Sequence, residues 1–250
     1  MSLLTSPSIR HKPMKPKVDR PGWVPAWVGE DWDEDPYAYQ TEEELIPAGG
    51  LHGQILAYLM ELLRHILAKR GLMILLDTFM LFHDEEGVKR RIAPDLMIIG
   101  WREEPPSAYD LEVEPLPFCV LEVTSPKSHT ADKEKKMAFY LGQGIPLYVV
   151  IDAVTRRGKP RKQAAVMGWE LVNGRPHSIP LDDDGKLNLH SLGLTLYADG
   201  QQLRFIDRHS GERLLDAEEL TTALTAEQAA RQTAEAELAR LREKLAQYEE

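Results

Sequence analysis

Two short segments carry the side chains of this chain best placed for chemistry. Ile92-Ala93-Pro94-Asp95-Leu96-Met97-Ile98-Ile99 sets one acid beside an aliphatic run, and Val120-Leu121-Glu122-Val123-Thr124-Ser125-Pro126 sets another inside one, 27 positions later. Runs of this kind read as buried strands. A carboxylate in a buried strand is costly unless it is paired, hydrogen-bonded or bound to a metal. Two of them on neighbouring strands are the raw material of a Mg²⁺ site, because Mg²⁺ takes hard oxygen ligands from one or two carboxylates.

The elements that must position this pair are legible on either side of it. Leu51 to Lys69 reads as an amphipathic helix, with Leu51, Ile55, Leu59, Leu62, Ile66 and Leu67 at helical spacing and Gly71 as its cap. Met73 to Phe82 reads as a strand, His83 to Gly87 as a hairpin turn, and Val88 to Ile99 as a second strand. A polar loop, Trp101 to Pro115, leads to a third strand, Leu116 to Val123. Ser125-Pro126-Lys127-Ser128 then punctuates the chain ahead of a helix over Thr130 to Gly142 and a buried strand over Ile145 to Asp152. Arg156 to Lys162 is a basic turn, and three to five short strands follow between Ala164 and Asp207, separated by Asn173-Gly174, Asp184-Gly185 and Asp199-Gly200. The pattern predicts an α/β domain over 48–210, a mixed central sheet flanked by helices, with a β-rich extension after residue 160.

The flanks differ in character. Residues 1–47 are basic at first, then carry Trp23, Trp27 and Trp32 and an acidic block, and read as a partly ordered arm with its tryptophans docked on the domain, or as a partner-binding or dimer-swapped arm. From Asp216 the composition turns to Ala, Glu, Arg and Leu without Gly or Pro. Leu224, Ala234, Leu238, Leu241, Leu245 and Tyr248 keep a 3-4 spacing that Glu227 and Arg231 interrupt, so 211–250 reads as a long helix, either a solvated tail or a short coiled-coil seam for self-association into a dimer.

The 250 residues carry a net charge of −10, which argues against a general nucleic-acid coating protein but not against an enzyme acting on nucleic acid. No apolar run reaches the roughly 18 residues of a membrane span. The single Cys119 has no partner for an internal disulfide, and a reducing, cytoplasmic setting is expected. No P-loop, Gly-x-Gly-x-x-Gly, paired-cysteine zinc site or Gly-x-Ser-x-Gly elbow is present.

Ala93-Pro94-Asp95, then Leu121-Glu122-Val123-Thr124-Ser125-Pro126-Lys127-Ser128, then Asp132, Lys136 and Tyr140, then Gly144-Ile145-Pro146-Leu147-Tyr148-Val149-Val150-Ile151-Asp152 follow one another in a specific order. In that order the chain resembles the bacterial Uma-type restriction endonuclease-like family within the PD-(D/E)XK nuclease superfamily, over residues 50–200. The resemblance implies a restriction endonuclease-like core and a hydrolase that cuts phosphodiesters with Mg²⁺ or Mn²⁺. Asp95 and Glu122 would hold the metal, with the backbone carbonyl of Val123 or Thr124 completing its shell. Where the superfamily has a lysine two residues after the second acid, this chain has Thr124. Lys136, on the following helix, is the substitute, its plain alternative being an i,i+4 ion pair with Asp132; Lys127 and Lys133 are nearby alternatives.

Further supporting roles remain open on the sequence. The resemblance puts a polar group on the first helix, where His52 is the candidate and a cap or surface role the alternative. Asp77 is either a solvent-facing strand residue or a third carboxylate beside Asp95. Ser125 and Ser128 either donate to a phosphate or cap the next helix. Arg90, Arg91 and Lys127, with Lys89 and the cluster Arg156 to Lys162, are candidates for phosphate contact by charge, or else solvated turns. The expected function is divalent-metal-dependent endonuclease-like cleavage of DNA; the rival is an inactive nuclease fold that docks a protein partner or scaffolds an oligomer.

Overall fold

The computed structural model describes residues 50–84, 87–124, 132–154 and 159–248. The arm over 1–47, with Ser125, Lys127, Ser128, Arg156 and Arg157, therefore lies outside the described residues. Helix α1 (Gly50–Lys69) buries Ile55, Leu59, Leu62, Leu63 and Leu67 along one stripe, and Gly71, at φ +69°, closes it as the left-handed cap the sequence indicates.

A long β-ribbon follows. Strands β1 (Leu72–Leu76) and β2 (Phe79–His83) run out, and β3 (Lys89–Ile92) and β4 (Leu96–Gly100) return. The sequence predicts one strand for each arm; the structure breaks both at the same level. Asp77 takes a left-handed φ of +46°, and Pro94, which cannot donate to a ladder, interrupts the return arm opposite it. The register survives the break: Leu76 stands opposite Leu96, Met80 stands opposite Ile92, and the Asp77 amide donates to the Asp95 carbonyl at 3.1 Å between them. The kink sends the two ends of the ribbon into different sheets.

Beyond the kink, β2 and β3 join β5 (Ala108–Asp110), a short strand inside the segment predicted as loop, in a three-stranded sheet of order β3-β2-β5. Before it, β1 and β4 enter a six-stranded mixed sheet with β6 (Cys119–Val123), β7 (Leu147–Val154), β8 (Pro160–Val172) and β9 (Arg175–Ser178), in the order β1-β4-β6-β7-β8-β9. β6 and β7 are parallel and the other pairs antiparallel. The parallel pair needs a crossover, and α2 (Met137–Gly142), entered through a π-helical turn at Asp132–Lys136, supplies its helix. A second three-stranded sheet is formed by β10 (Leu187–Leu189), β11 (Leu194–Asp199) and β12 (Gln202–Asp207). Five strands thus fill the region where three to five are expected.

Strand alternation sorts the core into two layers. Leu96, Ile98, Cys119, Leu121, Val149 and Ile151 face α1 and the β10–β12 sheet. Met97, Ile99, Val120, Tyr148 and Val150 face α2 and the β2–β3–β5 sheet. The chain ends in α3 (Ala217–Tyr248), whose Leu220, Leu224, Leu238, Leu241 and Leu245 are all exposed. Among the described residues no helix is long and apolar enough to cross a membrane.

Candidate active site at the ribbon kink

The kink delivers Asp95 to the end of β4, where it meets β6. Leu96 stands opposite Leu121, so one further step of the antiparallel register sets Asp95 opposite Glu122. Directly opposed residues of an antiparallel pair project to the same face. That face is the α2 side, because Val120, two residues before Glu122, packs there.

Each acid is held by named partners. Asp95 Oδ2 accepts from the Val123 amide at 2.7 Å and contacts His52 Nε2, near the start of α1, at 3.1 Å. Burial alone would raise the Asp95 carboxyl; the His52 hydrogen bond and charge, the Lys136 ammonium and the Val123 amide outweigh it and hold the group below its ordinary value. Glu122 is 1 % exposed. Its Oε2 accepts from Lys136 Nζ at 3.0 Å and its Oε1 from the Tyr140 hydroxyl at 3.0 Å. Burial and the Glu122 charge push the Tyr140 phenol well above its usual range, so it remains a donor.

Asp77 flanks this pair. Burial, then the Asp95 charge, raises its carboxyl while His52 lowers it. A non-glycine residue at positive φ is strained, and such strain gathers at functional sites. Asp77, Asp95, Glu122, His52 and Lys136 thus form one constellation from the β1–β2 and β3–β4 junctions, β6, α1 and the π-turn ahead of α2.

Other candidates lie elsewhere. Thr124 is buried, and its hydroxyl donates to Asp152 Oδ1 at 3.0 Å. Arg90 and Arg91 lie on the far end of the ribbon; far from being solvated, each is 8 % exposed. Arg90 Nε donates to Asp84 at 2.8 Å and the Arg91 guanidinium stacks 4.6 Å from the Phe79 ring centre. Two residues of the sequence motif gain partners that the sequence did not assign: Tyr140, on Glu122, and Asp152, which interrupts the apolar strand β7 much as Glu122 interrupts β6.

Among the described residues no group of three or more His, Cys, Asp or Glu side chains is arranged to hold a metal, which excludes from them the all-protein cage of a structural zinc. Two carboxylates on one face, with backbone oxygen and water to complete the shell, do fit Mg²⁺ or Mn²⁺.

No curated protein matches the chain. Among solved structures, a putative nuclease belonging to DUF820 from Anabaena variabilis is 16% identical, with 58% of this chain and 75% of that one covered and a TM-score of 0.43. The family model Uma2, described as "Putative restriction endonuclease", matches residues 30–198, and the chain belongs to that family.

Proposed function

We propose that this chain is a divalent-metal-dependent phosphodiester hydrolase that cleaves DNA internally. The observation that carries the reading is the convergence of Asp95 and Glu122, opposite each other in register, with Lys136 Nζ 3.0 Å from Glu122. A Mg²⁺ or Mn²⁺ ion held by the two carboxylates and the Val123 carbonyl would lower the pKa of a bound water and offset negative charge on the phosphate. The remaining work belongs to the chain. His52 and the Val123 amide fix Asp95 by the same oxygen, Oδ2, so its rotamer is set before any ligand arrives. Tyr140 fixes Glu122 from its buried side. Lys136, 13 % exposed at its side chain, brings an ammonium to Glu122 in place of the in-strand lysine of the superfamily pattern, and positions water or a phosphate oxygen. Asp77 is the third acid of the centre.

Plasmid nicking tests this reading. Wild type is expected to nick supercoiled plasmid in Mg²⁺ or Mn²⁺ and not in EDTA, and Glu122→Gln to lose nicking while keeping its circular dichroism. Nicking by Glu122→Gln, or none by wild type with either metal, would refute it. The rival reading, a nuclease fold without turnover, is favoured by Thr124, whose hydroxyl is turned to Asp152 rather than replaced by an amine. The exposed leucines of α3 favour self-association through that helix.

A further inference from the structure

A second buried acid lies one pleat beyond Glu122. β7 runs parallel to β6 with Val150 opposite Glu122 and Ile151 opposite Val123, so Asp152 shares the face of Val150 and of the active constellation. Its side chain is 2 % exposed. Thr124 Oγ1 donates to Oδ1 at 3.0 Å, and Lys133 Nζ and Arg161 Nη2 both donate to Oδ2, at 2.5 and 2.8 Å. Burial would raise the Asp152 carboxyl, but these three partners hold it below its ordinary value.

Two cations, Lys133 and Arg161, converge on a single oxygen of Asp152. The adjoining group sets three acids, Asp77, Asp95 and Glu122, against Lys136 and His52. Lys133 and Lys136 stand about one turn apart ahead of α2, one over each buried acid. Both basic side chains are partly exposed, at 24 % and 34 %. A cation-attracting pole and an anion-attracting pole therefore sit side by side at the ends of two parallel strands. Lysine and arginine lose much rotamer freedom on binding a ligand; here the buried carboxylate restrains them already in the folded protein.

We infer that Asp152 is a positioning residue that holds Lys133 and Arg161 as an anchor for a nucleic-acid backbone phosphate beside the cleavage centre. The inference rests on the hydrolase reading of the adjoining cleft and adds a contact made by charge, which orients the strand without reading its sequence.

The test is a salt titration of binding, which requires no turnover. A fluorescein-labelled 20-base-pair duplex is titrated with the full chain in Ca²⁺ across a KCl series, with anisotropy as the readout. Each phosphate contact contributes about 0.9 to the slope of log Kobs against log salt. Lys133→Gln and Arg161→Gln are each expected to lower the slope by about 0.9 and the pair together by about 1.8, whereas Lys135→Gln, on the exposed side of the same turn, leaves it unchanged. Asp152→Asn removes a negative charge, so bulk electrostatics alone would tighten binding; the positioning role predicts weaker binding. Slopes unmoved by Lys133→Gln and Arg161→Gln, tighter binding by Asp152→Asn, or no duplex binding by wild type would each overturn the anchor. A wild type that binds with the expected slopes but never nicks plasmid would instead overturn the hydrolase reading and leave the anchor standing.

Discussion

Lys136→Met isolates the pairing on which the site is built. Glu122 is 1 % exposed and accepts from the Lys136 ammonium and the Tyr140 phenol, each at 3.0 Å. Removing the ammonium takes a cation away from a buried anion. Breaking a buried ion pair from one side costs about 3–5 kcal/mol. The Lys136 side chain is 13 % exposed, so water reaches the vacated space and the lower end, about 3 kcal/mol, applies. At 2–4 °C per kcal/mol for a chain of this size, Tm should fall by about 6–12 °C. Methionine keeps most of the lysine's length and apolar stem, so the loss reports the charge. Urea unfolding and calorimetry in EDTA give the number. Lys136→Met/Glu122→Gln should recover most of it, because no buried charge is then left unpaired. Mn²⁺ should stabilise Lys136→Met more than wild type, since the ammonium and a metal compete for the same carboxylate; at a free metal concentration of 100 Kd the gain is about 2.7 kcal/mol. A Lys136→Met protein within 1 kcal/mol of wild type in EDTA would refute the reasoning.

Asp152→Asn should flatten the acid limb of the stability curve. Its folded carboxyl titrates below the ordinary 3.8, so its stabilisation is full above that value and is lost as pH falls through the folded one; urea midpoints between pH 5 and 2.5 would show the variant and wild type converging as pH drops. Asp77→Asn should raise stability at pH 7. The folded Asp77 carboxyl is shifted upward by burial and Asp95, so wild type gains as pH falls toward the unfolded value, while asparagine tolerates the left-handed backbone and carries no such dependence; a lower urea midpoint at pH 7 would count against this. A chain ending at Asp216 should sediment as a smaller assembly than the full protein, and an unchanged state would remove α3 from self-association.

The acid pair was legible from its apolar neighbours: Glu122 stands inside a buried strand and Asp95, half-buried, just ahead of one, where a carboxylate needs partners to persist. The helices and the hairpin were legible from periodicity. The kink was not. Asp77 has no glycine to announce its positive φ, and Pro94 forbids a ladder bond without saying that the ribbon will divide between two sheets. Asp152 interrupts an apolar run much as Glu122 does, but its meaning depends on the parallel pairing of β6 with β7, a non-local contact. Lys136 illustrates the same limit. Its spacing from Asp132 offers a local ion pair, whereas its contact with Glu122 comes from the tertiary fold. Arg90 and Arg91 look like a solvated basic turn in sequence, yet Asp84 and Phe79 draw them under cover.

The most direct test of the account is an anomalous difference map from a crystal soaked in Mn²⁺. The account predicts one peak between Asp95 and Glu122, about 2.1 Å from an oxygen of each, with Lys136 withdrawn from Glu122. Anomalous density elsewhere, or none in a crystal that keeps Lys136 seated on Glu122, would contradict it.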